Sequence, residues 1–188
     1  MNTEKPGLKI IDFGSACYER QTIYTFIQSR FYRSPEVILG LPYSSAIDMW
    51  SFGCIVAELF LGLPLLPGSS EYNQLTRITD IFGYPASWMI EMGKNSLKFM
   101  EKVATGASSN AFSKPASVPA PDGSTTLCKY KLKSMEKYAK EFKTQEKPST
   151  NYFNSNNLSD IIMNYQPRSV IKSKGKIIPK KLTENELN

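Results

Sequence analysis

The sequence predicts a mainly α-helical domain that carries an irregular, lysine-rich second half. Three observations predict it. Residues 46–61 are apolar on nearly every side of a helical projection, and residues 71–82 carry one apolar stripe at helical spacing. From 108 to 126 the composition shifts to Ser, Pro, Ala and Gly.

Taken in order, residues 8–11 have the pattern of a short strand, and 12–36 read as a long functional loop. Ser45 and Asp48 stand three apart before an apolar run, a capping-box pattern that starts a helix near Ala46. Gly62 should end that helix, and Pro64 prevents its continuation. Ile47, Met49, Trp50, Phe52, Ile55, Val56, Leu59 and Phe60 surround the axis, so the helix is expected to be the buried pillar of the core. The stretch 49–67 approaches the length of a membrane span, but Asp48, Glu58 and Pro64 argue for a core helix and against a membrane partner. Leu75, Ile78 and Phe82 line one side of a second helix, expected to be amphipathic, near the surface and stopped by Gly83. Pro115, Pro119 and Pro121 predict an irregular loop over 108–126. Residues 132–142 read as a basic surface helix, and Ser159 as the cap of a short helix reaching Asn164, with Leu158, Ile161 and Ile162 inward. Residues 168–188 read as a poorly ordered basic tail.

Composition narrows the chemistry. The chain of 188 residues contains no histidine, which removes histidine-activated nucleophiles, histidine acid–base catalysis and histidine metal ligation. Three scattered cysteines, Cys17, Cys54 and Cys128, offer neither a disulfide framework nor zinc spacing, and point to a reducing compartment, cytoplasm or nucleus. The net charge of +6 is uneven: residues 1–92 hold 6 Lys and Arg against 9 Asp and Glu, while residues 93–188 hold 17 against 8. The basic half shows no nucleic-acid motif with interleaved aromatics, so it reads as a solvated lysine surface and nucleic acid is not an expected partner.

The sharpest local signal is Asp12-Phe13-Gly14 directly after the strand pattern, followed some twenty residues later by Ser34-Pro35-Glu36. An acid at the mouth of a strand, a Gly hinge and a Pro-Glu stop resemble the activation segment of a protein kinase. Transfer of a γ-phosphoryl group needs a metal ion on the phosphate oxygens and a carboxylate to hold it, which makes Asp12 the candidate metal ligand. Phe13 would pack into the core and set the direction of Asp12, and Gly14 would permit the backbone swing.

Residues 24–40, which run Tyr24-Thr25-Phe26-Ile27-Gln28-Ser29-Arg30-Phe31-Tyr32-Arg33-Ser34-Pro35-Glu36 and on to Gly40, resemble the activation loop of the dual-specificity tyrosine-regulated kinases of the CMGC group. Residues 46–65 resemble the Yak-type branch of that family. The resemblance implies part of the helical C-terminal lobe of a kinase, and a role in moving the γ-phosphate of ATP, with Mg2+, to hydroxyls of protein substrates. It implies that Arg33 and Arg30 form a pocket for an activating phosphate. Two guanidinium groups suit that task, because each charge-assisted hydrogen bond contributes on the order of 1.5–3 kcal/mol. Ser34, Pro35 and Glu36 would close the segment beside the site that reads the residue after the phosphoacceptor. Glu36 would pair with a late arginine for which the chain shows no convincing match. Asp48 and Trp50 would be structural supports, Asp48 accepting bonds from the catalytic loop; otherwise it only caps its own helix. Residues 1–92 would be the core of the lobe and 93–167 a diverged family insert.

The chain departs from the family at one telling place. The position of the phosphorylated tyrosine is Phe26, which has no oxygen to carry phosphate. Tyr24, Thr25 or a bound anion would have to substitute, or Phe26 packing would have to hold the loop. No Gly-rich nucleotide loop, paired strand lysine or general-base loop appears. The N-lobe and catalytic loop are therefore missing from the expected fold, and the chain reads as a fragment or misread frame of a kinase gene, inactive by itself. The alternative is a non-catalytic remnant acting as a protein-binding module.

Overall fold

A computed structural model describes residues 7, 9–19, 21, 24–103, 117–119, 125–127, 130–148, 153 and 155–165. Residues 168–188, read as a tail, lie outside the described residues, as do Leu8 and most of 108–126.

A 3-10 turn, Arg30–Tyr32, leads into a short helix α1, Pro35–Leu39. Proline suits this first helical position because its missing N–H would have no intrahelical partner there. Val37, Ile38 and Leu39 are buried, and α1 packs on α3 (Glu71–Phe82) and α4 (Ser87–Met92).

Helix α2, Ala46–Leu61, has the bounds its sequence announces, and Gly62 ends it in the left-handed region at φ 67°, which costs glycine nothing. Two expectations about it fail. The capping box is not made: Ser45 makes no side-chain cap, and Asp48 is exposed. Nor is the helix a buried pillar. Ile47, Cys54 and Leu61 are its buried residues, spaced seven apart on one narrow stripe. Met49, Phe52, Ile55, Val56 and Leu59 face solvent, Leu59 at 81% exposure. Apolarity on all sides needs cover on all sides, and the described residues cover one.

The core lies instead around α3. Ser70 caps this helix by accepting from Asn73 N at 3.0 Å. Tyr72, Asn73, Gln74, Leu75 and Ile78 are buried, so α3 is more central than its predicted surface position. The Gln74 amide is fully buried, but it accepts from Gly68 N at 3.0 Å and donates to Phe31 O at 3.4 Å. The chain passes so close that a Cβ on Gly68 would stand 2.3 Å from Gln74 Oε1 and 2.7 Å from its Cα.

A short helix α5, Ser96–Phe99, runs directly into strand β1, Met100–Lys102. β1 pairs antiparallel with β4, Tyr130–Leu132, in the register Met100↔Leu132, Glu101↔Lys131, Lys102↔Tyr130. The Glu101–Lys131 pair closes an ion pair at 3.2 Å, with Lys137 also on Glu101. Strands β2, Ser117–Pro119, and β3, Thr125–Leu127, form a second antiparallel pair. This corrects the irregular-loop reading for 117–119, Thr125 and Thr126. A proline fits there because a two-stranded ladder consists of edges.

Helix α6, Met135–Phe142, begins later than the expected 132, since Leu132 belongs to β4 and Ser134 supplies the cap, accepting from Lys137 N at 3.2 Å. Tyr138 of α6 stacks on Tyr72 at 4.5 Å and on Phe99 at 5.8 Å between ring centroids, which joins α6 to α3. In helix α7, Leu158–Met163, the cap is Asn157 rather than Ser159. Ile161 is buried, with Leu158 and Ile162 partly so.

The strand expected at 8–11 does not form over its described residues 9–11, which run as exposed coil. A strand needs a ladder partner for its N–H and C=O groups, and no described segment offers one.

Candidate functional site

The segment 24–36 is pinned to the helices by two side chains. Gln28 sits at φ 63° and turns its amide inward. Its Nε2 donates to Ile47 O at 2.8 Å and to Ser51 Oγ at 2.7 Å, and its Oε1 accepts from Ser34 N at 2.9 Å. Ser51 in turn donates to Tyr32 O at 2.8 Å, and Tyr32 donates its hydroxyl to Glu58 Oε2 at 2.7 Å. One amide thus joins the loop, the start of α1 and the first turns of α2. The bonded Glu58 carboxylate, with burial behind it, pushes the Tyr32 phenol up.

Arg33 is the second pin, and it is only 4% exposed. Its Nε donates to Ile27 O at 3.0 Å, Nη2 to Gln28 O at 2.9 Å, and Nη1 to Glu71 Oε1 at 3.1 Å. The Phe26 ring covers one face, with its centroid 4.1 Å from the guanidinium carbon. Burial lowers the Arg33 pKa, while Glu71 opposes that and Arg30 adds to it. Lys98 shares Glu71 from 3.6 Å. Arg30 is exposed and donates to Ser69 O at 2.6 Å.

The sequence singled out Phe26, Arg30 and Arg33, and the structure brings them to one place, the start of α3. Ser34 caps no helix by its side chain, and its buried Oγ has no hydrogen-bond partner among the described residues. Pro35 opens α1, and Glu36 lies in its first turn with Oε2 buried and without a hydrogen-bond partner among the described residues. Tyr24 and Thr25 are exposed; Tyr43 donates its hydroxyl to Tyr24 O at 2.8 Å. Tyr24, Thr25 and Phe26 line a mixed cavity of about 450 Å³ with Tyr43, Glu71 and Lys94. Trp50 packs its ring on Phe82 at 5.3 Å.

Asp12, Phe13 and Gly14 stand apart from this cluster. They form an exposed turn closed by Ala16 N donating to Phe13 O at 3.0 Å, with Asp12 at φ 66°. Phe13 is 68% exposed, which corrects the expectation that it packs into the core. A contact of 3.8 Å between Cys17 Sγ and the Tyr43 hydroxyl links this stretch to the helices. Among the described residues, no group of three or more His, Cys, Asp or Glu could hold a metal ion.

Sequence reasoning missed Gln28 and Glu71 as working residues. Glutamine in a loop carries no signal of its own. Glu71 is an acidic residue in a first helical turn, a common feature, and only the fold sets it against Arg33, 38 positions away in the chain.

Residues 1–115 match the family described as protein kinase domain. The chain belongs to that family. It is 52% identical to the dual specificity protein kinase YAK1 of Saccharomyces cerevisiae over 183 residues, 97% of this chain and 21% of that protein. It is 51% identical to the serine/threonine-protein kinase ppk15 of Schizosaccharomyces pombe over 179 residues, 95% of this chain and 29% of that protein. Human dual specificity tyrosine-phosphorylation-regulated kinase 4 is 56% identical over 95 residues, 50% of this chain and 18% of that protein. These similarities place the chain in the Yak-type, tyrosine-regulated branch of the CMGC kinases. The chain spans less than a third of the length of these curated relatives.

Proposed function

We propose that this chain carries the activation segment and the helical layer behind it of a serine/threonine, dual-specificity protein kinase. That enzyme transfers the γ-phosphate of ATP to hydroxyls of protein substrates, with Mg2+ as cofactor. The supporting observation is the docking of residues 24–36 on α2 and α3 by Gln28 and Arg33, in a chain half identical to named kinases. Residues 1–92 are the catalytic-lobe core, and 93–167 are an insert whose β1, β4 and α6 pack on it. Two free cysteines, Cys17 and Cys54, accord with a cytoplasmic or nuclear protein.

Asp12 is the residue proposed to hold the metal. Mg2+ takes six oxygen ligands in near-octahedral geometry, usually from one or two carboxylates, waters and substrate phosphates. The described residues bring a single exposed carboxylate and do not form a metal site by themselves, so no step is routed through one here. The 188 residues alone are therefore proposed to be inactive. Incubation of the purified chain with ATP, Mg2+ and a Ser/Thr/Tyr peptide mixture should give no phosphopeptide. Transfer that disappears in Asp12→Ala would refute that inactivity. In a longer protein carrying this sequence, Asp12→Ala should abolish transfer, and full retention would sink the assignment.

A second reading, a protein-binding module, is favoured by one observation. An apolar groove of about 460 Å³ runs beside α2, lined by Met49, Trp50, Val56, Phe60, Phe82 and Ile162.

A further inference from the structure

We infer that Glu71 is a positioning residue that fixes the activation segment through Arg33, so that the segment is held by the fold and does not wait for a phosphate. This rests on reading 24–36 as an activation segment.

Arginines 30 and 33 both end on the turn that opens α3, Arg30 on Ser69 O and Arg33 on Glu71. That turn is itself fixed, since Ser70 caps the helix and Asn73 Oδ1 accepts from Ser69 N. A guanidinium that is 4% exposed needs compensation on every side. Arg33 finds two carbonyls, one carboxylate and an aromatic face, all within the chain. A phosphate could reach Arg33 only by displacing Glu71 or the Phe26 ring. Phe26 cannot bring a phosphate of its own. Glu71 thus supplies the anion for the one buried cation of the segment.

Hydrogen–deuterium exchange of the phosphatase-treated 188-residue chain tests this without catalysis, and so stays separate from failure of the kinase assignment. Amides over 27–34 should be as protected after phosphatase treatment as before, and indifferent to inorganic phosphate. Glu71→Gln should speed their exchange about tenfold, the scale of one charge-assisted bond. It should leave α6 unchanged, and inorganic phosphate should restore protection in this variant alone. Should Glu71→Gln also release α6, Phe26→Ala is the decisive variant. Its exposed ring can be removed without opening the core, and exchange over 27–34 should rise about threefold. The inference is overturned if phosphatase treatment alone releases the segment, if phosphate protects the unaltered chain, or if neither variant changes exchange over 27–34.

Discussion

The Tyr32 hydroxyl donates to Glu58 Oε2 at 2.7 Å, joining the 3-10 turn before α1 to the last turn of α2. Glu58 is the charge that interrupts an otherwise apolar stretch, and this bond explains how a half-buried carboxylate is accommodated there. Tyr32→Phe should lower stability by about 1 kcal/mol, the net worth of such a bond when the acceptor keeps some access to water. The urea midpoint of the purified variant checks it.

Gln28 should matter more. Its amide serves three partners, and alanine would leave Ser34 N without its acceptor in a half-buried setting and remove a donor from Ile47 O and Ser51 Oγ. Gln28→Ala should cost about 2–3 kcal/mol, whereas Ser51→Ala, which removes one shared hydroxyl, should cost about 1 kcal/mol. If the two variants are equally stable, Gln28 is not the pin.

The two described cysteines should differ sharply in reactivity. Burial first, and Glu58 second, push the Cys54 thiol up to about 11, whereas Cys17 is exposed. The thiolate is the reactive form, so at pH 8 iodoacetamide should label Cys17 readily and Cys54 only after unfolding. The sign for stability follows. Between its ordinary value of 9.0 and about 11, the unfolded chain releases the Cys54 proton and the folded chain keeps it. Stability therefore falls as pH rises through that window. Peptide mapping of the alkylated protein reads the first part, and urea midpoints across pH 8.5–11 for Cys54→Ala against the parent read the second.

The solvent-facing side of α2 predicts association. Phe52, Ile55, Val56 and Leu59 lie together on one helix. The sedimentation coefficient of the chain should rise with concentration. Phe52→Lys and Leu59→Lys together should suppress that rise while shifting stability by no more than about 0.5 kcal/mol, as for other surface changes. A double variant that unfolds would show that these side chains are buried after all.

What the sequence disclosed, and what it withheld, divides along the range of the forces involved. Helix ends are set by neighbours in the chain, so Gly62 and Gly83 stop α2 and α3 at the expected places. Burial is set by whatever packs from afar. Hence the inward view of α2 failed, and the central place of α3 was not foreseen: nothing local says that Tyr138 will stack on Tyr72, 66 residues away. The strand pattern at 8–11 was misleading for the same reason, because alternation describes a strand only when a partner accepts it. At the site, Phe26, Arg30 and Arg33 were legible because their spacing resembles a known loop. Their acceptors Ser69 and Glu71, and the amide of Gln28, were not, since each partnership closes through space.

The absent side chain at residue 68 has a genetic corollary. With Gln74 seated where a methyl group would go, a library of variants covering all twenty amino acids at that position should return glycine alone among clones that keep the protein soluble.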